Sequence, residues 1–427
     1  MHTFTIGLDI GTTSISGVKR DLVTGAVLDT RTVISEADLP ATRAGEHIQS
    51  PKEILAKVYR LAKELDGEHA AAIGVTGQMH GILYVDKMGN ALSPLYTWQD
   101  DRGAAYCETI REKTGYRLAA GYGLATQYAL MQSHAVPENA AHLCTIMDYV
   151  VMQLCGRTTP LLHATNAASL GLYDLARDRF DLDAIGKLGI DGALLPEVTT
   201  DCTMVKQKNG RPMVVAIGDN QAAFLGSVTD MAHTALVNIG TGSQISFVCG
   251  KDAPLHYGSI ETRPFLSDYR LLSGSGLCGG RAYALTERFF REYAVALGLP
   301  DEKRYDVLNR LAANGLAEDN ILSVRTTFCG TRDDPTLRGS IAGLGENNFT
   351  PSALAAGVLM GMATELYEMF TAVEHDHIDY LVASGNAVRQ NPTLVRCIER
   401  VFGLPVTVSA YTEEAACGAA KFAAMAL

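Results

Sequence analysis

Tryptophan, positive charge and long apolar runs are scarce in this sequence. It has one Trp in 427 residues, and 36 Lys and Arg against 47 Asp and Glu, which gives a formal net charge of -11. Such an acidic chain excludes nucleic acid and an anionic membrane as its main partner, so any phosphate must be bound by local groups. The sequence has no run of about 18 apolar residues and no basic segment before an apolar stretch, which predicts a cytoplasmic protein without a membrane segment.

The 9 cysteines give no sign of a metal site or of a disulfide framework. They are odd in number and scattered, without a CxxC pair or a close Cys/His cluster, so reduced and mostly buried thiols are expected. The length predicts two or three domains with large apolar cores. The 41 glycines stand mainly at the ends of apolar runs, which is typical of turns with a specific geometry.

Two short segments, one in each half of the chain, have nearly the same sequence. Residues 10–14 read IGTTS and residues 239–243 read IGTGS, and each lies between two stretches with β-type alternation. A Gly/Thr/Ser turn presents backbone N–H groups and hydroxyls together, which suits phosphate oxygens without net positive charge. The repeat predicts two similar lobes with two phosphate-binding turns, although an ordinary hairpin turn explains each segment alone.

The patterns around these turns predict an α/β protein. Residues 4–10, 15–18 and 26–33 predict an antiparallel meander, and Ser50 with Glu53 predicts a capping box at the start of a helix. The C-terminal third alternates helix and strand patterns. It ends in a helix rich in Ala and Gly, which is expected to pack closely on a sheet or on a bound planar group.

Asp219 is the candidate general base. The apolar strand pattern of residues 214–217 ends at Gly218, and a helix is expected from Asp219 onward. The dipole of that helix and its unpaired N–H groups favour an ionised carboxylate, which accepts a proton at neutral pH. A simple helix cap is the alternative, but the second turn follows soon after along the chain, which favours a function.

Asp9 and two polar segments complete the candidate site. Asp9 stands next to the first turn, where a carboxylate beside phosphate needs a bridging cation, and Mg²⁺ prefers such oxygen ligands. The segments GQMHG (77–81) and TWQDDR (97–102) combine hydrogen-bonding groups with an apolar or aromatic wall. Such a combination is expected for a polyhydroxylated ligand.

Six motifs in this order make the chain similar to the FGGY family of carbohydrate kinases over essentially its whole length. The motifs are DIGTTS (9–14), GQMHG (77–81), TWQDDR (97–102), GDN (218–220), IGTGS (239–243) and ASGNAVRQN (383–391). The resemblance implies an α/β fold of two ribonuclease H-like lobes, related to actin and hexokinase, around a central cleft. It places the N-terminal lobe at residues 1–228 and the C-terminal lobe at residues 229–427.

The resemblance also implies a role for each candidate residue. Asp219 would be the catalytic base, and Asp9 would act on the metal side. The phosphates and the adenosine of ATP would be bound by Gly11, Thr12, Thr13, Ser14, Gly240, Thr241, Gly242, Gly385, Asn386 and Asn391. The sugar would be surrounded by Gln78, Met79, His80, Trp98, Asp100 and Asp219.

The expected activity is the ATP- and Mg²⁺-dependent phosphorylation of a ketose hydroxyl. Sedoheptulose is the expected sugar, and xylulose or another ketose or polyol is the alternative. A non-catalytic ATP-binding regulator of actin-like fold and a chaperone-like ATPase stay open, although the intact Asp219 argues against the regulator. Ser16 stands where many family members have Lys or Arg, which removes one expected phosphate contact. The sequence leaves a homo-oligomer open.

Overall fold

The computed structural model of the chain describes residues 3–205, 211–331, 334 and 336–427. They form two compact units. The first unit comprises Met1–Gly226, Arg263–Tyr269 and Glu413–Leu427, and the second comprises Ser227–Thr262 and Arg270–Thr412. By its contacts the last segment of the chain therefore belongs to the first unit. The division into family lobes at residue 228 stays a prediction.

Short strands outnumber helices along the chain. The strands are β1 (Phe4–Ile10), β2 (Ser14–Asp21), β3 (Val27–Ile34), β4 (Ile48–Gln49), β5 (Ile73–Gly77), β6 (Leu83–Val85), β7 (Leu95–Tyr96), β8 (His142–Cys144), β9 (Leu161–His163), β10 (Tyr173–Asp174), β11 (Arg179–Phe180), β12 (Glu197–Thr199), β13 (Met204–Val205), β14 (Met213–Val214), β15 (Thr234–Ile239), β16 (Ser243–Gly250), β17 (Ile260–Leu266), β18 (Tyr269–Gly276), β19 (Ser323–Arg325), β20 (Ser340–Ala342), β21 (Tyr380–Ser384) and β22 (Val406–Val408). The α-helices are α1 (Pro51–Glu64), α2 (Cys107–Thr114), α3 (Gly123–Gln132), α4 (Ile146–Cys155), α5 (Ala164–Leu170), α6 (Leu182–Lys187), α7 (Asp219–Ser227), α8 (Gly279–Ala296), α9 (Tyr305–Ala317), α10 (Pro351–Thr371), α11 (Asn386–Gln390), α12 (Pro392–Phe402) and α13 (Glu414–Met425). Two 3₁₀ turns cover Ala104–Tyr106 and Gly192–Leu194.

The first unit is built on a six-stranded mixed sheet with the strand order β13-β14-β5-β1-β2-β3. Strands β1, β2 and β3 form the expected antiparallel meander, and β5 runs parallel to β1. Gly11–Thr13 make the first turn, and Ser14 is the first residue of β2. The strand β1 is buried on both faces, and Ile6 and Leu8 are completely buried. Burial of one such side chain stabilises the fold by about 1.5–3 kcal/mol.

Helix α1 begins where the sequence predicts, but with only half of the expected capping box. The Ser50 hydroxyl accepts the N–H of Glu53 at 3.3 Å. The N–H of Ser50 donates to the carbonyl oxygen of Ala37 at 2.8 Å. Because that donor is already bound, the return contact from the Glu53 side chain is not made.

The final helix, α13, packs on the sheet of the first unit. A Cβ on Gly7 would lie 1.8 Å from the carbonyl oxygen of Ala416, and a Cβ on Gly74 would lie 2.0 Å from that of Ala419. Only glycine permits so close an approach between a strand and a helix. The small residues of α13 therefore serve the contact between helix and sheet, which confirms the first of the two expected roles.

The second unit repeats the central arrangement of the first. In its sheet the strands follow the order β18-β16-β15-β21-β22. Strands β15 and β16 form an antiparallel hairpin with Ile239 opposite Ser243, and β21 runs parallel to β15. A hairpin with a Gly/Thr turn, followed later by a parallel strand, is thus present in both sheets. No helix in the described part of the chain is both long enough and apolar enough to cross a membrane.

Candidate functional site

Asp219 is the first residue of α7, at the end of a buried connecting segment. The strand expected over residues 214–217 is shorter in the structure, where β14 covers Met213–Val214. The carbonyl oxygen of Gly218 accepts the N–H of Ala222 at 2.9 Å, so Gly218 occupies the capping position. The Asp219 carboxylate is therefore not needed to cap the helix.

Burial, rather than the helix dipole, dominates the acidity of Asp219. Removal from water raises the pKa of Asp219 from 3.8 to about 6, although the N–H of Asn220 and the charge of Arg263 oppose the rise. The sequence analysis expected the helix dipole and unpaired N–H groups to favour the ionised form of Asp219. That expectation is wrong, because burial has the larger effect on its pKa. The carboxylate is still largely ionised near pH 7, and a raised pKa makes it a stronger base.

The carboxyl group of Asp9, near the end of β1, is influenced by those of Asp219 and Glu413. The pKa of Asp9 is raised to about 7, first by burial and then by the charges of Asp219 and Glu413. Ser16 lies opposite Asp9 in the hairpin and makes a 3.0 Å hydrogen bond with the hydroxyl of Thr32, so it supplies no positive charge. Among the described residues no group of three or more His, Cys, Asp or Glu is arranged to hold a metal ion by itself. Asp9 as a metal ligand stays a prediction.

The first turn is held by side chains from other parts of the first unit. The indole N–H of Trp98 donates to the hydroxyl of Thr12 at 3.1 Å, and the amide of Gln49 donates to the Thr12 carbonyl at 2.9 Å. The N–H of Ser35 donates to the Thr13 carbonyl. Within the described ranges no acceptor receives the three N–H groups of this turn. Its donors are therefore available to an anion.

Gln78 and Met79 connect this turn with the segment before Asp219. The N–H of Gln78 donates to the Ile10 carbonyl, and its side-chain amide donates to the Gln49 oxygen, each at 2.8 Å. The Gln78 side-chain oxygen is buried and has no partner among the described residues. A Cβ on Gly218 would lie 2.7 Å from the terminal methyl of Met79. A buried acceptor without a partner costs about 1–3 kcal/mol, and a ligand hydroxyl would remove that cost.

Two candidate sugar-binding residues of the first unit, His80 and Trp98, have aromatic rings. The His80 ring stacks on Tyr122 with 4.5 Å between the ring centroids, and its Nδ1 lies 2.7 Å from the carbonyl oxygen of Ser169. His80 has a φ of +73°, which is unusual for a residue with a side chain. Trp98 is 48% exposed although its N–H is bound, so one aromatic surface stays open to a ligand.

Asp100 is fully buried, and protein donors surround its carboxylate. It accepts hydrogen bonds from Arg102 at 2.6 Å, from Arg43 at 3.1 Å and from the N–H of His47 at 3.1 Å. Burial raises the pKa of Asp100, but Arg102 and the backbone donors outweigh it and hold the pKa below its usual range. This network uses the carboxylate inside the protein, so a direct contact of Asp100 with a sugar stays a prediction.

The second turn, in the second unit, is held by the beginning of helix α8. The N–H of Gly280 donates to the Gly240 carbonyl at 2.9 Å, and the next N–H along the chain donates to the Thr241 carbonyl at 3.1 Å. A Cβ on Gly279 would lie 2.2 Å from the carbonyl oxygen of Gly242. As in the first turn, no described acceptor receives the turn N–H groups.

Gly385 and Asn386 follow β21 and lie beside this second turn. Gly385 has a φ of +92°, and a Cβ on it would lie 2.4 Å from the carbonyl oxygen of Ile239. Asn386 is the first residue of α11. The Asn391 side chain caps α12, because its oxygen accepts the N–H of Thr393 at 3.1 Å. A direct contact of Asn391 with adenosine stays a prediction.

The sequence analysis missed two features that the structure adds to these sites. Gln49 has no motif around it, although it bonds both the first turn and Gln78. The double glycine at residues 279–280 was the one available signal for the helix start that holds the second turn. Beyond it, α8 borders a cavity of about 230 Å³, lined by Arg281, Ala284, Leu285, Glu287, Arg288, Arg291, Lys303 and Tyr305.

Comparison with known families agrees with this arrangement. The model for the N-terminal domain of the FGGY family of carbohydrate kinases matches residues 4–236, and the model for its C-terminal domain matches residues 294–427. The chain belongs to the FGGY family of carbohydrate kinases. It is therefore a phosphotransferase with an alcohol group as acceptor. Its α/β structure, with two mixed sheets, has the actin- and hexokinase-like fold of that family.

Individual relatives differ in the substrates that their names state. The chain is 27% identical to sedoheptulokinase from Mus musculus, over 94% of this chain and 93% of the relative. It is 30% identical to a glycerol kinase from Alkalilimnicola ehrlichii, over 99% of this chain and 90% of the relative. Among solved structures it is similar to Plasmodium falciparum glycerol kinase with ADP, with a TM-score of 0.79 and 18% identity over 99% of this chain and 89% of that chain.

Proposed function

We propose that this chain transfers the γ-phosphoryl group of ATP to a hydroxyl group of a ketose, with sedoheptulose as the acceptor. The observation that carries the proposal is the grouping, within the first unit, of Asp219, the unpaired oxygen of Gln78 and the partly open Trp98 with the first turn. The similarity to mouse sedoheptulokinase over nearly the whole chain favours a ketose. The similarity to a glycerol kinase makes glycerol the second candidate acceptor.

The proposed reaction needs one proton acceptor, and it needs the acceptor hydroxyl to be aligned with the γ-phosphorus. The acceptor oxygen forms a bond to the γ-phosphorus, its proton passes to the Asp219 carboxylate, and the bond from that phosphorus to the ADP oxygen breaks. A pKa of about 6 suits Asp219 to this task, because the group is mostly ionised before the step and basic enough to take the proton. In this scheme the Gln78 oxygen accepts a hydrogen bond from another sugar hydroxyl.

Each unit, taken by itself, presents groups that suit a part of MgATP. Asp9 would hold the ion together with phosphate oxygens, because a cation would relieve the repulsion of the Asp9 carboxylate by those of Asp219 and Glu413. The bound ion neutralises charge on the phosphate oxygens. The turn N–H groups of both units would bind phosphate, and Gly385 with Asn386 would border the adenosine. The ADP in the Plasmodium falciparum glycerol kinase structure supports a nucleotide.

The test is ADP release with MgATP across ketoses, aldoses and polyols, including sedoheptulose, xylulose and glycerol. We expect sedoheptulose to give the highest kcat/KM, and Asp219→Asn to lower kcat by about 10³-fold or more. The matched control is Asp181→Asn, because Asp181 also stands at a helix start, where its side chain caps α6. Asn caps a helix equally well, so this variant should keep normal turnover.

The outcomes separate the candidate functions. A best rate with glycerol or xylulose keeps the reaction and replaces the sugar. Fast ATP hydrolysis without any sugar contradicts the kinase proposal and favours an ATPase. Trp98 provides an independent measurement, because it is the one Trp of the chain and its N–H binds Thr12. Saturating sedoheptulose should change the Trp98 emission, and an unchanged spectrum contradicts a sugar site at that ring.

A further inference from the structure

Two side chains of helix α5 hold the backbone that leads to Asp219. The hydroxyl oxygen of Thr165 accepts the N–H of Gly218 at 3.0 Å, and the side-chain amide of Asn166 donates to the carbonyl oxygen of Ala216 at 3.1 Å. Both side chains are fully buried. Neighbouring residues on one short helix therefore bind an N–H group and a carbonyl group just before the proposed base.

The Thr165 hydroxyl is oriented by His163. The N–H of Thr165 donates to Nδ1 of His163 at 3.4 Å, so Nδ1 is an acceptor, and Nε2 donates to the carbonyl oxygen of Thr200 at 3.2 Å. The Thr165 hydroxyl lies 3.0 Å from the same Nδ1 and donates its hydrogen there. Its lone pairs are thereby left for the N–H of Gly218. Burial lowers the pKa of His163 to about 4, which keeps this ring neutral.

The Asn166 amide is oriented by Asp148 from helix α4. The amide nitrogen donates to one Asp148 oxygen at 3.2 Å, and the other Asp148 oxygen accepts the hydroxyl of Thr145 at 2.6 Å. Asp148 is itself fully buried. Both contacts to the backbone before Asp219 are therefore supported by a further layer of buried hydrogen bonds, which fixes the direction of each donor and acceptor.

We propose that Thr165 and Asn166 are positioning residues for phosphoryl transfer, holding the backbone of residues 216–218 so that the Asp219 carboxylate stays aligned with the acceptor hydroxyl. This inference rests on the proposed role of Asp219 as the base. Neither side chain touches the substrate in this scheme. A displacement of reacting groups by about 1 Å lowers a rate by about 10²-fold, so loss of one such contact is measurable.

The test compares Thr165→Val with Thr165→Ser. Valine keeps the volume and removes the acceptor of the Gly218 N–H, so we expect kcat to fall by about 10- to 100-fold while KM for ATP stays within about twofold. Serine restores the hydroxyl and should recover most of the lost kcat. Thr165→Ala serves as the second variant if the valine protein does not fold, which circular dichroism and thermal melting establish beforehand.

A matched control separates positioning from general stability. Thr5 is fully buried in the same unit, and its hydroxyl donates to the carbonyl oxygen of Ala420 at 2.9 Å. Thr5→Val should lower Tm and leave kcat unchanged. Wild-type kcat in Thr165→Val, or an equal loss of kcat in Thr5→Val, overturns the proposal. Full turnover in Asp219→Asn, assayed in parallel, instead removes the base assignment, so the two failures are distinguishable.

Discussion

The two Gly/Thr turns have the same place in their sheets, but different structures hold them. In both, a glycine at the end of the parallel strand or directly after it lies against the carbonyl before the turn. A Cβ on Gly77 would lie 2.4 Å from the Ile10 oxygen, and a Cβ on Gly385 would lie 2.4 Å from the Ile239 oxygen. Side chains such as Gln49 hold the first turn. Backbone N–H groups of a helix start hold the second.

The groups beside the two turns differ as well. The first turn follows Asp9, whose pKa is raised by burial and by neighbouring carboxylates, whereas the backbone N–H groups of Gly280 and Arg281 hold the second turn. Neighbouring carboxylates suit a cation and a proton acceptor, whereas unpaired backbone N–H groups suit phosphate. We therefore expect the first turn to be sensitive to changes in the side chains that hold it, and the second turn to be sensitive to a side chain at Gly279.

The largest effect on stability is expected at the second turn, where the backbone at the start of α8 contacts the backbone of the turn. Gly279→Ala places a Cβ about 2.2 Å from the Gly242 carbonyl oxygen, so the helix and the turn must separate. We expect the free energy of unfolding to fall by about 3–5 kcal/mol, measured by urea denaturation. Gly240→Ala is the control for stability, because nothing lies within 4 Å of a Cβ there. Equal stability of the two variants would contradict the close contact.

At the first turn the corresponding change is Gln49→Leu. It removes the donor to the Thr12 carbonyl and the acceptor of the Gln78 amide, so the turn and the proposed sugar residue are released together. We expect kcat/KM for the sugar to fall about tenfold and the free energy of unfolding to fall by about 1–3 kcal/mol. Gln127→Leu, at another buried glutamine, should change stability alone. An unchanged kcat/KM in Gln49→Leu would contradict the role of Gln49 in holding the first turn and Gln78.

The carboxylates beside the first turn lead us to expect that the Asp9→Asn variant is more stable than the wild type and less active. The pKa of Asp9 is raised to about 7 from 3.8, so the folded state binds this proton more tightly than the unfolded chain and loses stability as pH rises between these values. Asp9→Asn removes that cost and should raise the free energy of unfolding by about 1–3 kcal/mol at pH 8, with the gain vanishing toward pH 4. Kinase turnover should fall because the proposed metal ligand is lost.

Thermal melts of Asp9→Asn across pH check this expectation, with Asp101→Asn as the control at an exposed carboxylate. A pH-independent gain would mean that the charge of Asp9 costs nothing in the folded state. A loss of stability at pH 8 would mean that the carboxylate is already compensated within the protein.

The sequence predicted the elements whose cause is local. The hairpin at residues 10–15 and the start of α7 at Asp219 follow from alternation and glycine patterns. It did not predict the role of Gln49, because two of its partners, Thr12 and Gln78, lie far from it along the chain. It also misjudged the acidity of Asp219, since burial depends on packing that a local pattern does not contain. Strands and helices could be predicted from sequence periodicity, whereas the pKa of a buried carboxyl group could not.

The smallest expected effect concerns the side chain of Arg281, whose backbone N–H binds the second turn. The Arg281 guanidinium lies 3.6 Å from the sulfur of Cys329 and lowers the pKa of that thiol, whereas burial raises the pKa of Cys278 to about 12. Iodoacetamide should therefore label Cys329 before Cys278, as peptide mass spectrometry detects. Arg281→Ala should slow the labelling of Cys329 about three- to tenfold, because the thiolate loses its nearest positive charge. Arg288→Ala should leave that rate unchanged, and equal slowing by both variants would indicate a general field instead of the contact with Arg281.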